Sequence, residues 1–282
     1  MVIHLKMYAS KVGELMSILD KEQIITDTIN SHVFTKKVDS DKAYLVVLSD
    51  IHQGANHREY FKSIIDFILS IPNCYVIIGG DSTDSITKTS VGTSNDEWCI
   101  GVKQFYTLVE DLKPLVENNR IIAIGESGNH GDRLYDSAFI SANKMLACLL
   151  GVPNLYTGDM CLGFFNVGKV CYTISVIHKN RKAKNYYEFA RVDVLYKEHW
   201  HDLSYEQKLV YEWNKYNKSI SVIPTFEIYN GSFLNLPAYA QKANYRPQFI
   251  GCYFTLFDGK TRHIQPFIDK DLEYIINHGY EV

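Results

Sequence analysis

Short apolar runs alternate with amphipathic stretches over the first half of the chain. Residues 11–30 carry Val12, Leu15, Met16, Leu19 and Ile24 at helical spacing, which predicts a helix with one apolar face. Residues 43–49 (AYLVVLS) form a continuous apolar run of strand length. Helical spacing returns at 58–70, where Phe61, Ile64, Ile65, Ile68 and Leu69 share one side. The pattern then predicts a strand at 74–79 (CYVIIG), a helix at 103–118 kinked or split by Pro114, and a strand at 121–125. A helix follows at 137–150, stopped by Gly151 just past its end. The early strands are apolar without alternation, as expected of strands covered on both faces. The second half has a different texture, with strands at 170–177, 191–196, 221–229 and 251–257 and a helical stretch near 204–216. Alternation followed by strand-rich sequence predicts an α/β fold whose parallel sheet continues into a second sheet.

Composition narrows this picture. Of 282 residues, 46% are hydrophobic and 22% charged, the balance of a soluble globular chain with a real core. A net charge of −3 gives no overall attraction to polyanions, so nucleic-acid binding would need a local basic patch. The six cysteines form no C-x-x-C pair, and Cys74 and Cys171 fall in runs that read as buried strands. Reduced cysteines, and a cytosolic setting (the host's, if the chain is viral), are the expectation. The charged start of the chain predicts no secretory signal, and no apolar run reaches the length of a membrane span.

The candidate chemistry sits just after the strands. The first strand ends in Asp50-Ile51-His52, the second in Gly80-Asp81-Ser82-Thr83-Asp84, and the third runs into Gly128-Asn129-His130. The strand at 170–177 ends in His178, and the next ends in Glu198-His199-Trp200-His201. In an open α/β sheet, ligands bind beyond the carboxyl ends of the strands. Each motif alone is weak: Asp-x-His and Gly-Asn-His occur in ordinary turns, and a His-x-His pair arises by chance. Five strand ends delivering Asp, Asn and His to one rim make a metal-site pattern. Oxygen and imidazole donors without thiolate suit Mn, Fe or Zn.

Taken together, Asp50-x-His52, Gly80-Asp81, Gly128-Asn129-His130, His178 and His199-x-His201 resemble the calcineurin-like metallophosphoesterase superfamily, most closely its small phage and prokaryotic members. The resemblance implies a four-layer α/β/β/α sandwich of two mixed sheets flanked by helices over 43–282, with 1–42 as a helical extension. It implies two divalent metal ions, Mn first and Fe, Zn or Ni as alternatives. Asp50, His52, Asp81 and His201 would hold one, and Asp81, Asn129, His178 and His199 the other. A hydroxide between the metals would attack phosphorus, with Asp81 and His130 as the catalytic residues and His130 stabilising the transition state or protonating the leaving group.

Three positions depart from the family pattern: Gly131 replaces the acid that usually follows Gly-Asn-His, Lys179 follows His178, and Glu198 stands where glycine is usual. Glu198 is expected at the pocket mouth with a basic partner, and the loss of the acid weakens the role given to His130. Downstream of His178 comes a basic run with Lys179, Arg181, Lys182, Lys184 and Arg191, interleaved with Tyr186, Tyr187 and Phe189. Cations for phosphates and rings for bases are what a nucleotide or single strand needs, although a solvated surface has the same composition. Lys179, Arg181, Arg133 and His57 are the candidate substrate contacts. The expected activity is that of a phosphodiesterase acting on a nucleotide or nucleic acid, a nuclease being one form of it. The alternatives are a phosphomonoesterase and a non-catalytic metal- or nucleotide-binding protein of the same fold. The protein Ser/Thr phosphatase signature is missing, because Ser85-Ile86 follows Asp84 and Ser127 precedes Gly128.

Overall fold

The computed structural model describes residues 33–86, 97–158, 160–178, 191–235 and 248–279. The predicted helix at 11–30 and the basic residues Lys179, Arg181, Lys182 and Lys184 lie outside them.

The elements run β1 (Val33–Val38), β2 (Lys42–Leu48), α1 (Arg58–Ser70), β3 (Cys74–Ile78), α2 (Val102–Glu117), β4 (Ile121–Ile124), α3 (Gly128–Ala138), α4 (Ala142–Leu149), β5 (Cys161–Val167), β6 (Val170–Ile177), β7 (Val194–Lys197), β8 (Ser204–Asn214), β9 (Ser219–Tyr229), β10 (Tyr253–Asp258), β11 (Ile264–Ile268) and α5 (Asp269–Asn277). They form two mixed sheets flanked by helices. One has the order β11-β10-β2-β3-β4, and the other β1-β5-β6-β7-β9-β8. Within the first, β2, β3 and β4 are parallel, joined by α1 and α2 as crossovers.

Two cores explain why the early strands do not alternate. Tyr44, Val46 and Leu48 of β2 pack with Phe61, Ile64 and Ile68 of α1 and Leu108 and Leu112 of α2. Ala43, Leu45 and Val47, on the opposite face of the same strand, pack with Phe165, Ile174, Val194 and Phe226 of the other sheet. Period-two geometry therefore sends neighbouring residues into different cores, and both must be apolar. The described helices α1, α2, α4 and α5 cover the outer face of the five-stranded sheet.

Several sequence expectations need correction. Residues 33–38 are a strand paired in parallel with β5, so the helical extension does not reach residue 42. The stretch near 204–216 is the strand β8, because eleven rungs of pairing with β9 outweigh the helix-forming Glu, Gln, Lys and Leu. The helix at 137–150 is two helices, divided where Phe139 takes a left-handed backbone (φ 56°). Gly151 does end α4 as expected, at φ +75°. Pro114 splits nothing, since α2 runs through it. Cys171 is exposed, and all six cysteines are free. No described helix is long and apolar enough to cross a membrane.

Candidate metal centre

The loops after β2, β3 and β4 continue the sheet's hydrogen bonding past the strands. Asp50 N donates to Gly80 O at 2.9 Å, His52 N to Asp81 O at 2.9 Å, and Asp81 N to Ser127 O at 3.0 Å. Asp50 O accepts in turn from Phe233 N at 3.0 Å. These rungs fix each loop against its neighbour and hold an uncommon backbone. Asp50, His52, Asp81, His199 and His201 all have positive φ, between 47° and 81°. Each such residue costs of order 1–3 kcal/mol and persists only where the surroundings over-determine it. Gly128 (φ +75°) meets a second demand, because a Cβ there would lie 2.3 Å from Asp81 Oδ1.

The result is a buried knot of carboxylates and imidazoles. His201 Nε2 lies 3.1 Å, His178 Nε2 3.3 Å and His52 Nε2 3.9 Å from Asp50 Oδ1. His52 Nε2 and His201 Nε2 are 3.3 Å apart, and His178 Nε2 is 3.2 Å from Asp81 Oδ2. Three groups could each hold a cation: Asp50, His52 and His201; His52, Asp81 and His130; and Asp81, His178 and His199. Within each, one donor atom per residue lies within 4.8 Å of the others. Asp81 occurs in two of the groups. Asn129 is exposed, between Gly128, which abuts Asp81, and His130, whose amide donates to Asp81 Oδ1 at 2.7 Å.

Charge follows from this crowding. Burial alone would raise the Asp50 carboxyl, but His201 and His178 outweigh it and hold the group well below the usual carboxylate range. Asp81 is lowered likewise, against burial, chiefly by His178. Burial works against protonated His178, yet Asp81 and Asp50 raise it well above the usual imidazole value. His52 is lowered by burial and by His130. In the protein alone, Asp50 and Asp81 favour a proton on His178, and Asp50 one on His201. Divalent cations at the same atoms would take the place of those protons, and the donor set fits them.

Asp84 is the residue whose role sequence reasoning missed. His130 Nδ1 lies 3.0 Å from Asp84 Oδ1 and 2.9 Å from Asp84 O. His52 Nδ1 lies 3.1 Å from the same carboxylate oxygen. Burial raises the Asp84 pKa, but the bonds to His130 and His52 bring it far below its ordinary value. Asp84 thus supplies the carboxylate that Gly131 lacks. An acid at 131 would not fit, since even a Cβ there would sit 2.6 Å from the Ser127 Cβ. The signal was the second aspartate of Gly80-Asp81-x-x-Asp84.

Glu198 does not stand at the mouth. It is fully buried beneath the rim, where Oε2 accepts from Gly80 N at 2.8 Å and Oε1 has no partner among the described residues. Its contact is a backbone amide in place of the expected basic group. Burial pushes its pKa up to about 8. Gly79 must be small for this reason, as a Cβ would fall 1.8 Å from Glu198 Oε1.

Of the candidate substrate contacts, Arg133 is at the site, with Nη2 3.2 Å from His130 Nε2 and Nη1 donating to Asp84 O at 3.2 Å. His57 is exposed at the start of α1 and belongs to none of the three groups. Arg191 turns to the β8–β9 ribbon, donating to Tyr211 O at 2.8 Å.

No protein-family model matches the chain, and no curated protein matches it by sequence. Among solved structures it is similar to the hypothetical protein PH1004 from Pyrococcus horikoshii OT3, at 11% identity and a TM-score of 0.39, over 85% of this chain and 94% of that one. It is also similar to a protein serine/threonine phosphatase from Saccharomyces cerevisiae with similarity to human phosphatase PP5. There the identity is 10% and the TM-score 0.38, over 89% of this chain and 87% of that one.

Proposed function

We propose that the chain is a dinuclear metal-dependent phosphoesterase whose substrates are nucleotide or nucleic-acid phosphodiesters. The observation that carries this reading is the convergence of three imidazole nitrogens on Asp50 Oδ1, with Asp81 beside it shared by the group with His52 and His130 and the group with His178 and His199. Asp50, His52, Asp81 and His201 would hold one cation, and Asp81, Asn129, His178 and His199 the other. Divalent ions bound there supply the Lewis acidity that polarises a phosphoester and lowers the pKa of an attacking water.

The rest is work for the protein's own groups. Asp84 holds His130 through Nδ1, which leaves Nε2 to meet the substrate. A phosphate entering beside Arg133 would take the guanidinium from His130 Nε2. Nε2, freed as an acceptor, would take up a proton from solvent, giving an imidazolium that Asp84 stabilises at Nδ1, and would pass that proton to the leaving oxygen, returning the ring to its neutral form. No Ser or Cys nucleophile is needed. The rival reading, a binding protein that keeps the metals without turnover, drew on Gly131 and Glu198. Asp84 at His130 and the burial of Glu198 beneath the rim both count against it.

The test is hydrolysis of bis-p-nitrophenyl phosphate, compared with p-nitrophenyl phosphate, by the full chain loaded with manganese. Faster turnover of the diester, lost in Asp81→Asn, is the expected result. Bound metal without turnover of any ester in a panel of nucleotides, cyclic nucleotides and DNA would leave the binding protein as the better reading.

A further inference from the structure

A cavity of about 510 Å³ opens beside the metal centre, lined by Glu126, Ser127, Asp132, Tyr135, Lys144 and Tyr156 among others. Its inner wall is shared with the site. Glu126 Oε1 accepts from His178 N at 2.6 Å, and Ser127 O accepts from Asp81 N at 3.0 Å. A group seated in the cavity is therefore one residue removed from two of the candidate ligands. The volume falls in the range of small-molecule sites. We infer that this cavity takes the nucleoside of a nucleotide ester whose phosphate lies at the metal centre, a substrate assignment that rests on the phosphoesterase reading.

The lining chooses among the parts of such a substrate. Among the described residues of the lining the only cation is the Lys144 ammonium, so the described wall offers no cluster of cations to a second phosphate or a polymer backbone. Carboxylates accept hydrogen bonds from ribose hydroxyls and exocyclic amines, and both are nucleoside donors. Tyr135 and Tyr156 put two aromatic rings in the lining, and rings are what a base stacks on. Tyr135 is half exposed and meets Phe139 edge-on, with ring centroids 6.1 Å apart. Tyr156 is held within the wall, its hydroxyl 3.3 Å from Ser141 Oγ, itself 3.2 Å from Ser127 Oγ. A ring fixed before binding loses little entropy when a base arrives.

Two esters with the same leaving group separate this inference from the reading beneath it: thymidine 5′-(p-nitrophenyl phosphate) and methyl p-nitrophenyl phosphate. Tyr135→Ala should raise KM about tenfold for the thymidine ester alone, the size of one lost stacking contact, with kcat and the methyl ester unchanged. Tyr135→Trp should restore it. Thymidine and adenosine, titrated by calorimetry, test the cavity without any turnover, and Tyr135→Ala should weaken their binding by the same factor. A chain that hydrolyses neither ester, yet binds nucleosides through Tyr135, keeps the cavity and loses the enzyme. Nucleoside binding that is absent at millimolar concentration, or unchanged in Tyr135→Ala, overturns the cavity assignment whatever the esters do.

Discussion

The rim where β2, β3, β4, β6 and β7 end and the tip of the β8–β9 ribbon invert the usual rule of burial in opposite directions. At the rim, Asp50, His52, Asp81 and His178 are polar and almost wholly buried. At the tip, Leu209 is 72% exposed, Tyr211 70% and Trp213 74%. The rim holds its inversion with an uncommon backbone, since five of its residues have positive φ and the loops after β2, β3 and β4 lean on one another through backbone rungs. The ribbon is locally regular. Its two strands pair over Ser204–Asn214 and Ser219–Tyr229, and Pro224 lies beyond the point where β7 pairing begins at Phe226, so its missing N–H breaks no rung with that strand. Five positive-φ residues and the buried Asp–His cluster are thus gathered where chemistry is proposed, whereas the exposed tip keeps its shape through its own ladder.

The contrast breaks most sharply at Asp81. Asp81→Asn removes the carboxylate common to both proposed cation sites, and kcat should fall about a thousandfold, the loss of several kcal/mol of charge stabilisation. Elemental analysis should find less metal per chain. Full metal content in the variant would show that Asp81 is not shared. Next comes His130→Ala, expected to lower kcat about a hundredfold or more with metal content intact. Asp84→Asn should cost about ten- to a hundredfold by releasing His130. If Asp84→Asn matched wild type while His130→Ala failed, the pair at 3.0 Å would not orient the histidine.

The same contrast explains what was legible in the sequence. The rim could be read because each motif is local: Asp50-x-His52 or His199-x-His201 carries its chemistry within three residues, and continuous apolar runs announce the strand before it. The bounds of α1 and β6 followed from spacing alone. What failed depended on partners outside the segment itself. β1 acquires its identity from β5, over a hundred residues away, and β8 from β9. Nothing local tells Glu198 that a backbone amide at Gly80 awaits it beneath the rim. Asp84 lay between the two cases: its spacing from Asp81 was visible, but its bond to His130 spans 46 residues.

The root of the ribbon offers a pH test. Glu227 is buried between Lys197 and Lys208, each with Nζ 2.5 Å from one of its oxygens. Burial would raise its pKa, but the two lysines outweigh it and leave the group below its ordinary 4.5. A carboxyl depressed in the folded state contributes stability that is present above its unfolded pKa and lost as pH falls through the folded one. Glu227→Gln should therefore cost about 1–3 kcal/mol at neutral pH. It should cost progressively less below pH 4.5, where wild type loses the same contribution. Thermal melts across pH 3–7, taken as about that range, read the difference directly. An equal loss at every pH would assign the effect to packing.

The smallest effect is expected at the tip. Leu209 pairs across from Pro224 and Trp213 from Ile220, on the face that continues inward to Phe226 and Ile228 of the inter-sheet core. Leu209→Thr and Trp213→Thr place a β-branched residue at each rung, so the ladder should hold while apolar surface is removed. Unfolding free energy should stay within about 0.5 kcal/mol of wild type, as for an exposed site, and kcat should not change. Phe61→Ala, in the core beneath β2, should by comparison cost about 3–5 kcal/mol. A loss above about 2 kcal/mol at the tip would mean that these side chains are covered in solution, and the ribbon would then obey the ordinary rule of burial after all.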